Sequence, residues 1–229
     1  MGRKNMKTVF EGNILDVVSV ENGLVIAYAL QQDGEEIMVA YKMVTFDNGM
    51  ITNVQKSMYE LSKFGANYKQ VVKHAKSHLS CKAVILPNGK IFILEKDGSA
   101  KLLDGNANEI WSGNLQYRGE APSGIAINNR SVWSCFKAKS VLMRMNLVTM
   151  REELRIGGGT SSPFSQPIDL FAIDDDIYVC NAGTNIVLKV NTTSYVTEEY
   201  KTFDRDVLQF IKNGKYEFAV LENGVYLLD

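Results

Sequence analysis

Histidine is almost missing from this chain: His74 and His78 are the two in 229 residues. Any histidine base or metal ligand must be one of this pair. Cysteine is nearly as scarce. Cys81, Cys135 and Cys180 form an odd, low set, a poor basis for a disulfide framework. With 4 prolines, a polyproline or collagen-like chain is excluded. No window approaches the ~20 consecutive apolar residues of a membrane span. The N-terminal stretch MGRKNMKTVFEGN has a basic start but no apolar run of signal-peptide length. A reduced, cytoplasmic compartment without a membrane partner is the expectation, or a secreted one if a leader has been removed from this sequence. Neither sign of charge is in excess, with 25 basic and 26 acidic residues. Nucleic-acid binders ordinarily carry a basic surplus or a clustered basic face, so no nucleic-acid partner is expected.

What is present is an internal repeat. APSGIAINNRSVWSCFKAKSVLMRMN, from Ala121, aligns without a gap on QPIDLFAIDDDIYVCNAGTNIVLKVN, from Gln166. The shift is about 45 residues, the size of a propeller blade. Pro122 meets Pro167, Trp133 meets Tyr178, Cys135 meets Cys180 and Arg144 meets Lys189. Each copy reads as three short apolar runs separated by tight turns, hence three strands. Fainter copies begin near Ile14, Cys81 and Asp206, punctuated by Asn-Gly and Asp-Gly turns. Five copies across residues 1–229 predict one all-β domain, a five-bladed β-propeller.

The fourth strands are less regular. EIWSGNL, EELRIGG, EEYKTF and ITNVQKSMY are the candidates. The last copy stops after its third strand, and Lys7-Thr8-Val9-Phe10 stands before the first copy with no other role. That segment is expected to supply the missing strand and close the last blade. One stretch departs from the cadence. Tyr68, Val71, Val72, Ala75 and Leu79 recur at helical spacing, so residues 64–79 are either a helical insertion or an irregular connection.

At the two central copies the chain resembles the NHL-repeat propellers. A proline opens each copy, in P-S-G-I-A-I followed by V-W-S-C and in P-I-D-L-F-A-I followed by I-Y-V-C-N. The likeness covers about residues 121–203. The aspartate that often follows the second strand's small residue is replaced by Phe136 in one copy and Asn181 in the other. What the resemblance implies is an architecture. Such propellers include binding modules, lactonases and lyases, so it does not imply one activity.

No complete catalytic constellation is legible. His74 and His78 have the i, i+4 spacing that can hold zinc, but Ala75 stands where a zinc-protease motif needs glutamate. Gly157-Gly158-Gly159-Thr160 lacks the Gly-Lys-Ser/Thr of a phosphate loop and reads as a flexible connection. Asp174-Asp175-Asp176 reads as a solvated turn, and Cys135 and Cys180 as core thiols.

Propeller sites form where blade-to-blade connections meet the hairpins between second and third strands. The matched positions there are roughly Asp16, Lys82, Ser123, Asp169 and Asp206, and a lysine and a serine among three acids make a poor cation cage. His78, Tyr117, Arg118, Glu120, Gln166, Asp204 and Arg205 are the ligand-binding candidates. Arginine and tyrosine favour planar or anionic groups, so a small polar or anionic ligand, a glycan or a peptide is expected. No catalytic residue, metal set or cofactor is assigned. The reading is a non-catalytic ligand- or protein-binding or scaffold propeller. The alternative is a metal-assisted enzyme of the lactonase or lyase kind with its site at the channel mouth.

Overall fold

The computed structural model describes residues 6–21, 23–31, 37–47, 50–60, 82–86, 88–95, 97–128 and 131–228. The 64–79 segment, His74, His78 and Cys81 lie outside the described residues. Among the described residues every regular element is a β-strand. No helix among them is long and apolar enough to cross a membrane.

Among the described residues twenty strands make five antiparallel sheets of four. Blade 1 is β2 (Asn13–Val20), β3 (Gly23–Gln31), β4 (Ile37–Asp47) and β5 (Met50–Glu60). Blade 2 is β6 (Lys82–Ile85), β7 (Ile91–Leu94), β8 (Ser99–Leu103) and β9 (Glu109–Asn114). Blade 3 is β10 (Gly124–Asn128), β11 (Ser131–Phe136), β12 (Val141–Asn146) and β13 (Arg151–Gly157). Blade 4 is β14 (Pro167–Ile173), β15 (Asp176–Asn181), β16 (Ile186–Asn191) and β17 (Thr197–Thr202). Blade 5 is β18 (Gln209–Asn213), β19 (Tyr216–Leu221), β20 (Gly224–Leu228) and, from the other end of the chain, β1 (Met6–Glu11). The protein is a five-bladed β-propeller, and its N-terminal strand closes the last blade as the sequence predicts. The chain divides into two compact units, one holding blades 2 to 4 (Ser80–Val207) and one holding blades 1 and 5 (Met1–Leu79 with Leu208–Asp229).

In the three-blade unit, blade 3 is a slab buried on both faces. One face sets Val132, Phe136, Met143 and Met145 against Phe92, Leu94 and Leu102 of blade 2. The other sets Trp133, Cys135 and Leu142 against Leu170, Ile177 and Val179 of blade 4. This explains why the second strands read as continuous apolar runs rather than alternating ones. The inner strands β10 and β14 come so close that a Cβ on Gly124 would lie 2.6 Å from the Asp169 Cα. Only glycine fits there.

In the two-blade unit, β1 pairs antiparallel with β20, from Met6 opposite Leu228 to Glu11 opposite Gly224. Phe10 packs on Tyr28, ring centroids 4.5 Å apart, and Phe46 stacks on Phe218 at 5.3 Å. Asn213, at the end of β18, clasps blade 1. Its Nδ2 donates to the Val20 carbonyl at 2.7 Å and the Gly23 carbonyl at 2.8 Å. In the other unit Asn128 holds the same place in blade 3 and donates to the Asp174 carbonyl of blade 4. Asn213→Ala would orphan two carbonyls at once. It is expected to cost about 1–3 kcal/mol in a urea titration. A midpoint unchanged by the substitution would show the clasp to be idle.

Every outer strand contains one β-bulge, at Val9, Val54, Ile110, Glu153 and Tyr200 in turn, where the ladder skips a residue. A bulge leaves its extra residue unpaired and re-aims the neighbouring side chains.

Candidate functional site

Alternate turns of an antiparallel sheet lie at opposite ends of its strands, so the three-blade unit has two ends. At one end, the connections β9–β10, β13–β14 and β17–β18 meet the second-to-third-strand hairpins. Six of the seven residues expected from the sequence to bind a ligand sit here.

Tyr117, Arg118, Gly119 and Glu120 form a tight turn, with Tyr117 and Glu120 exchanging both backbone hydrogen bonds at 2.9 and 3.1 Å. Arg118 and Gly119 hold positive φ, the geometry of a primed turn. Tyr117 is buried against Phe136, and Arg155 lies over its ring at 4.6 Å. Burial works to lower the Arg155 pKa, but the hydrogen bond and charge of Glu152 raise it on balance. Arg118 is exposed, 5.3 Å from the Tyr117 ring. The Glu120 carboxylate accepts from the backbone N–H groups of Ala138 and Lys139 at 2.6 and 3.1 Å, tying the β11–β12 hairpin to the turn.

Gln166 is exposed at positive φ, and its carbonyl accepts from Ala182 N–H in the β15–β16 hairpin. Asp204 and Arg205 pair with each other at 3.0 Å on an exposed turn. The structure thus gathers Tyr117, Arg118 and Glu120 in one turn, Asp204 with Arg205 in another, and sets Gln166 in a third. Of these, Tyr117 and Glu120 are already engaged in holding the backbone.

The sequence-matched positions shift slightly. Asp16, Gly124, Asp169 and Gln209 each stand opposite the fifth residue of their blade's second strand. Gly124 therefore replaces Ser123 at that level, and Gln209 replaces Asp206. Gln209 donates to Asp16 at 2.7 Å, and Ser123 donates to the Pro167 carbonyl at 2.7 Å. No cluster of three or more His, Cys, Asp or Glu suited to a metal ion occurs among the described residues.

The opposite end holds a groove that the sequence reading did not single out. A groove of about 980 Å³ opens between blades 2 and 3, where the turns β6–β7, β8–β9 and β12–β13 converge. Its floor is Leu86, Leu102 and Leu147, all buried and continuous with the core between the two blades. Trp111 forms a side. Its indole folds over Gly113, where a Cβ would clash with the Trp111 Cζ2. On the rim, Ile110 is 48% exposed and Val148 71% exposed. Ile110 is the bulge residue of β9. Lys90 and Arg151 also line the groove, with Asn88, Thr149 and Met150. Asp104 lies near, in the β8–β9 turn. Hydrogen bonds from the Asn108 side chain and backbone hold its carboxyl below the ordinary value, and the Lys90 charge adds to this.

A signal for this end was present. The β12–β13 turn reads Leu147-Val148-Thr149-Met150 where blade 4 has Thr192-Thr193-Ser194-Tyr195. Turns are ordinarily polar; here Leu147 is buried in the core between blades 2 and 3 and Met150 packs against it, which leaves Val148 as the exposed apolar residue of the turn.

No protein-family model matches the chain, and no curated protein matches it either. Solved structures do. The computationally designed Ika8 protein superposes with a TM-score of 0.52 at 10% identity, covering 94% of this chain and 70% of that one. Hydrazine synthase of Kuenenia stuttgartiensis gives 0.52 at 16% identity, covering 64% of this chain and 45% of that one. Sqt1 of Saccharomyces cerevisiae gives 0.51 at 7%, covering 91% and 78%. At such identities the likeness is one of fold.

Proposed function

We propose that this protein is a non-catalytic binding propeller, NHL-like in its two central blades, that seats its partner in the groove between blades 2 and 3. The observation that carries the reading is an open groove whose floor is the buried edge of the apolar core and whose rim exposes Ile110 and Val148. Exposed apolar surface in a concavity is the usual mark of a binding site. The NHL-like part rests on the proline-opened inner strand of blade 4 and the matched second-strand positions of Cys135 and Cys180.

The test is a fragment-library screen read by NMR on the full chain. Shifts are expected at the Trp111 indole N–H and at the Ile110 and Val148 methyl groups. Shifts confined to Arg118, Gln166 and Arg205 would instead favour the connection end. The exposed polar side chains there suit a small anionic ligand or a glycan. In that case Arg118→Ala with Arg205→Ala should weaken binding and leave the melting temperature in place. Turnover of esters or lactones that depends on added calcium or zinc would overturn the non-catalytic reading in favour of a metal-assisted enzyme.

A further inference from the structure

We propose that the groove between blades 2 and 3 receives an extended segment of a partner protein, in which a large apolar side chain is flanked by aspartate or glutamate. This rests on the groove being the binding surface proposed above, and it names the occupant.

The charge of the lining makes the choice. Among the described residues, the charged groups that line the groove are Lys90 and Arg151, both cations, and no Asp or Glu joins them. Neither forms an ion pair among the described residues, as is also true of Arg118, Lys137 and Lys139 elsewhere. Asp104, the neighbouring acid, is held by Asn108 at 2.8 and 3.0 Å and by the Asn106 N–H at 2.8 Å. A carboxylate arriving at Lys90 or Arg151 gains charge-assisted hydrogen bonds without breaking an existing pair. A basic segment would meet two like charges, offset only in part by the Asp104 carboxylate near Lys90.

The floor selects the apolar part. Leu86, Leu102 and Leu147 beside Trp111 form the kind of desolvated pocket that anchors a leucine or an aromatic side chain. The size accommodates a chain segment. About 980 Å³ is at the top of the range for small-ligand pockets, so one small carboxylate would leave most of it empty. A main chain lying across the groove would cover Ile110 and Val148 as well. Because Ile110 is a bulge residue, the outer edge of β9 is interrupted there. The segment is therefore held by side-chain pockets and charge, not by adding a strand to blade 2.

A random peptide library displayed on phage, selected in parallel against three forms of the full chain, tests this. The forms are wild type, Lys90→Glu with Arg151→Glu, and Val148→Asp, each checked for an unchanged melting temperature. Wild type should enrich peptides carrying Leu, Phe or Trp beside Asp or Glu. The charge-reversed form should lose them, and a synthetic representative should bind it at least about tenfold more weakly. Val148→Asp should lose them too. Failure to enrich acid-flanked apolar peptides on wild type, or equal binding by the charge-reversed form, would overturn the inference. If the enriched peptides lack acids, survive charge reversal and are lost with Val148→Asp, the groove stands as the binding surface and its acidic occupant does not. Peptides indifferent to all three forms sink both.

Discussion

Removing residues 1–11 should lower the melting temperature by about 6–12 °C, through a loss of about 3 kcal/mol or more. The deletion takes away β1, and with it the whole ladder from Met6–Leu228 to Glu11–Gly224. Phe10 goes too, leaving the Tyr28 ring without its partner and Lys42 without the ring it lies over at 4.9 Å. The β20 strand, whose Val225 is fully buried, is then left as an open edge with one row of unpaired backbone groups. Two readouts separate this from the trimming of a tail. Thermal melting reports the lost stability, and light scattering reports association through the exposed edge. A truncated protein that melts with the full chain and stays dispersed would show that the pairing adds nothing.

Trp133→Ala should be the most damaging single substitution, at about 3–5 kcal/mol. Trp133 is 1% exposed at the centre of β11 and packs with Leu142, Ile177 and Val179 where blades 3 and 4 meet. The indole also carries the Arg144 guanidinium, 5.8 Å from its centroid. Arg144 in turn reaches Glu153 and the Tyr195 hydroxyl, both at 3.1 Å. Truncation leaves a cavity inside a slab closed on both faces and frees one end of that chain of contacts. Guanidinium titration measures the loss. Trp133→Phe, which keeps a ring under Arg144, should recover more than half of it. Equal damage from both substitutions would place the effect in the cavity alone. In a Trp111→Phe background the remaining indole should emit as a buried tryptophan, and a solvent-exposed spectrum would contradict the packing described.

What the sequence disclosed and what it hid have physical causes. The first three strands of each blade were legible because both kinds of signal coincide there. Turn residues punctuate short apolar runs, and blade 3 repeats blade 4 at a constant shift. The fourth strands were read only faintly. The bulges account for this: at Ile110, Glu153 and Tyr200 an extra residue inverts the inside–outside alternation halfway along the strand. No period-2 pattern survives that. Asn213 and Asn128 looked like ordinary turn residues, since nothing local marks an amide that reaches into the next blade. At the connection end, the sequence marks Tyr117 and Glu120 by their chemistry, and the turn and hairpin they also hold are visible only in the fold. The groove was hidden for a different reason. Its lining comes from residues 86–90, 102–111 and 147–151, brought together only by the packing of two blades. The apolar turn at Leu147-Val148 was its one trace in the sequence.

The pairing of Met6 with Leu228 also bears on how the chain can be cut. These residues are far apart in sequence and directly opposed in space, so a short turn-forming linker could join β20 to β1 as a hairpin. New ends could then open at Gly159, an exposed glycine with no neighbour where its Cβ would be. Such a circular permutant converts the most non-local ladder of the fold into a local one. Opening at Gly159 makes the packing of blade 3 on blade 4 the long-range closure in exchange, so the entropy cost moves from one seam to the other, and the permutant should reach the same fold with the β1–β20 pairing formed early.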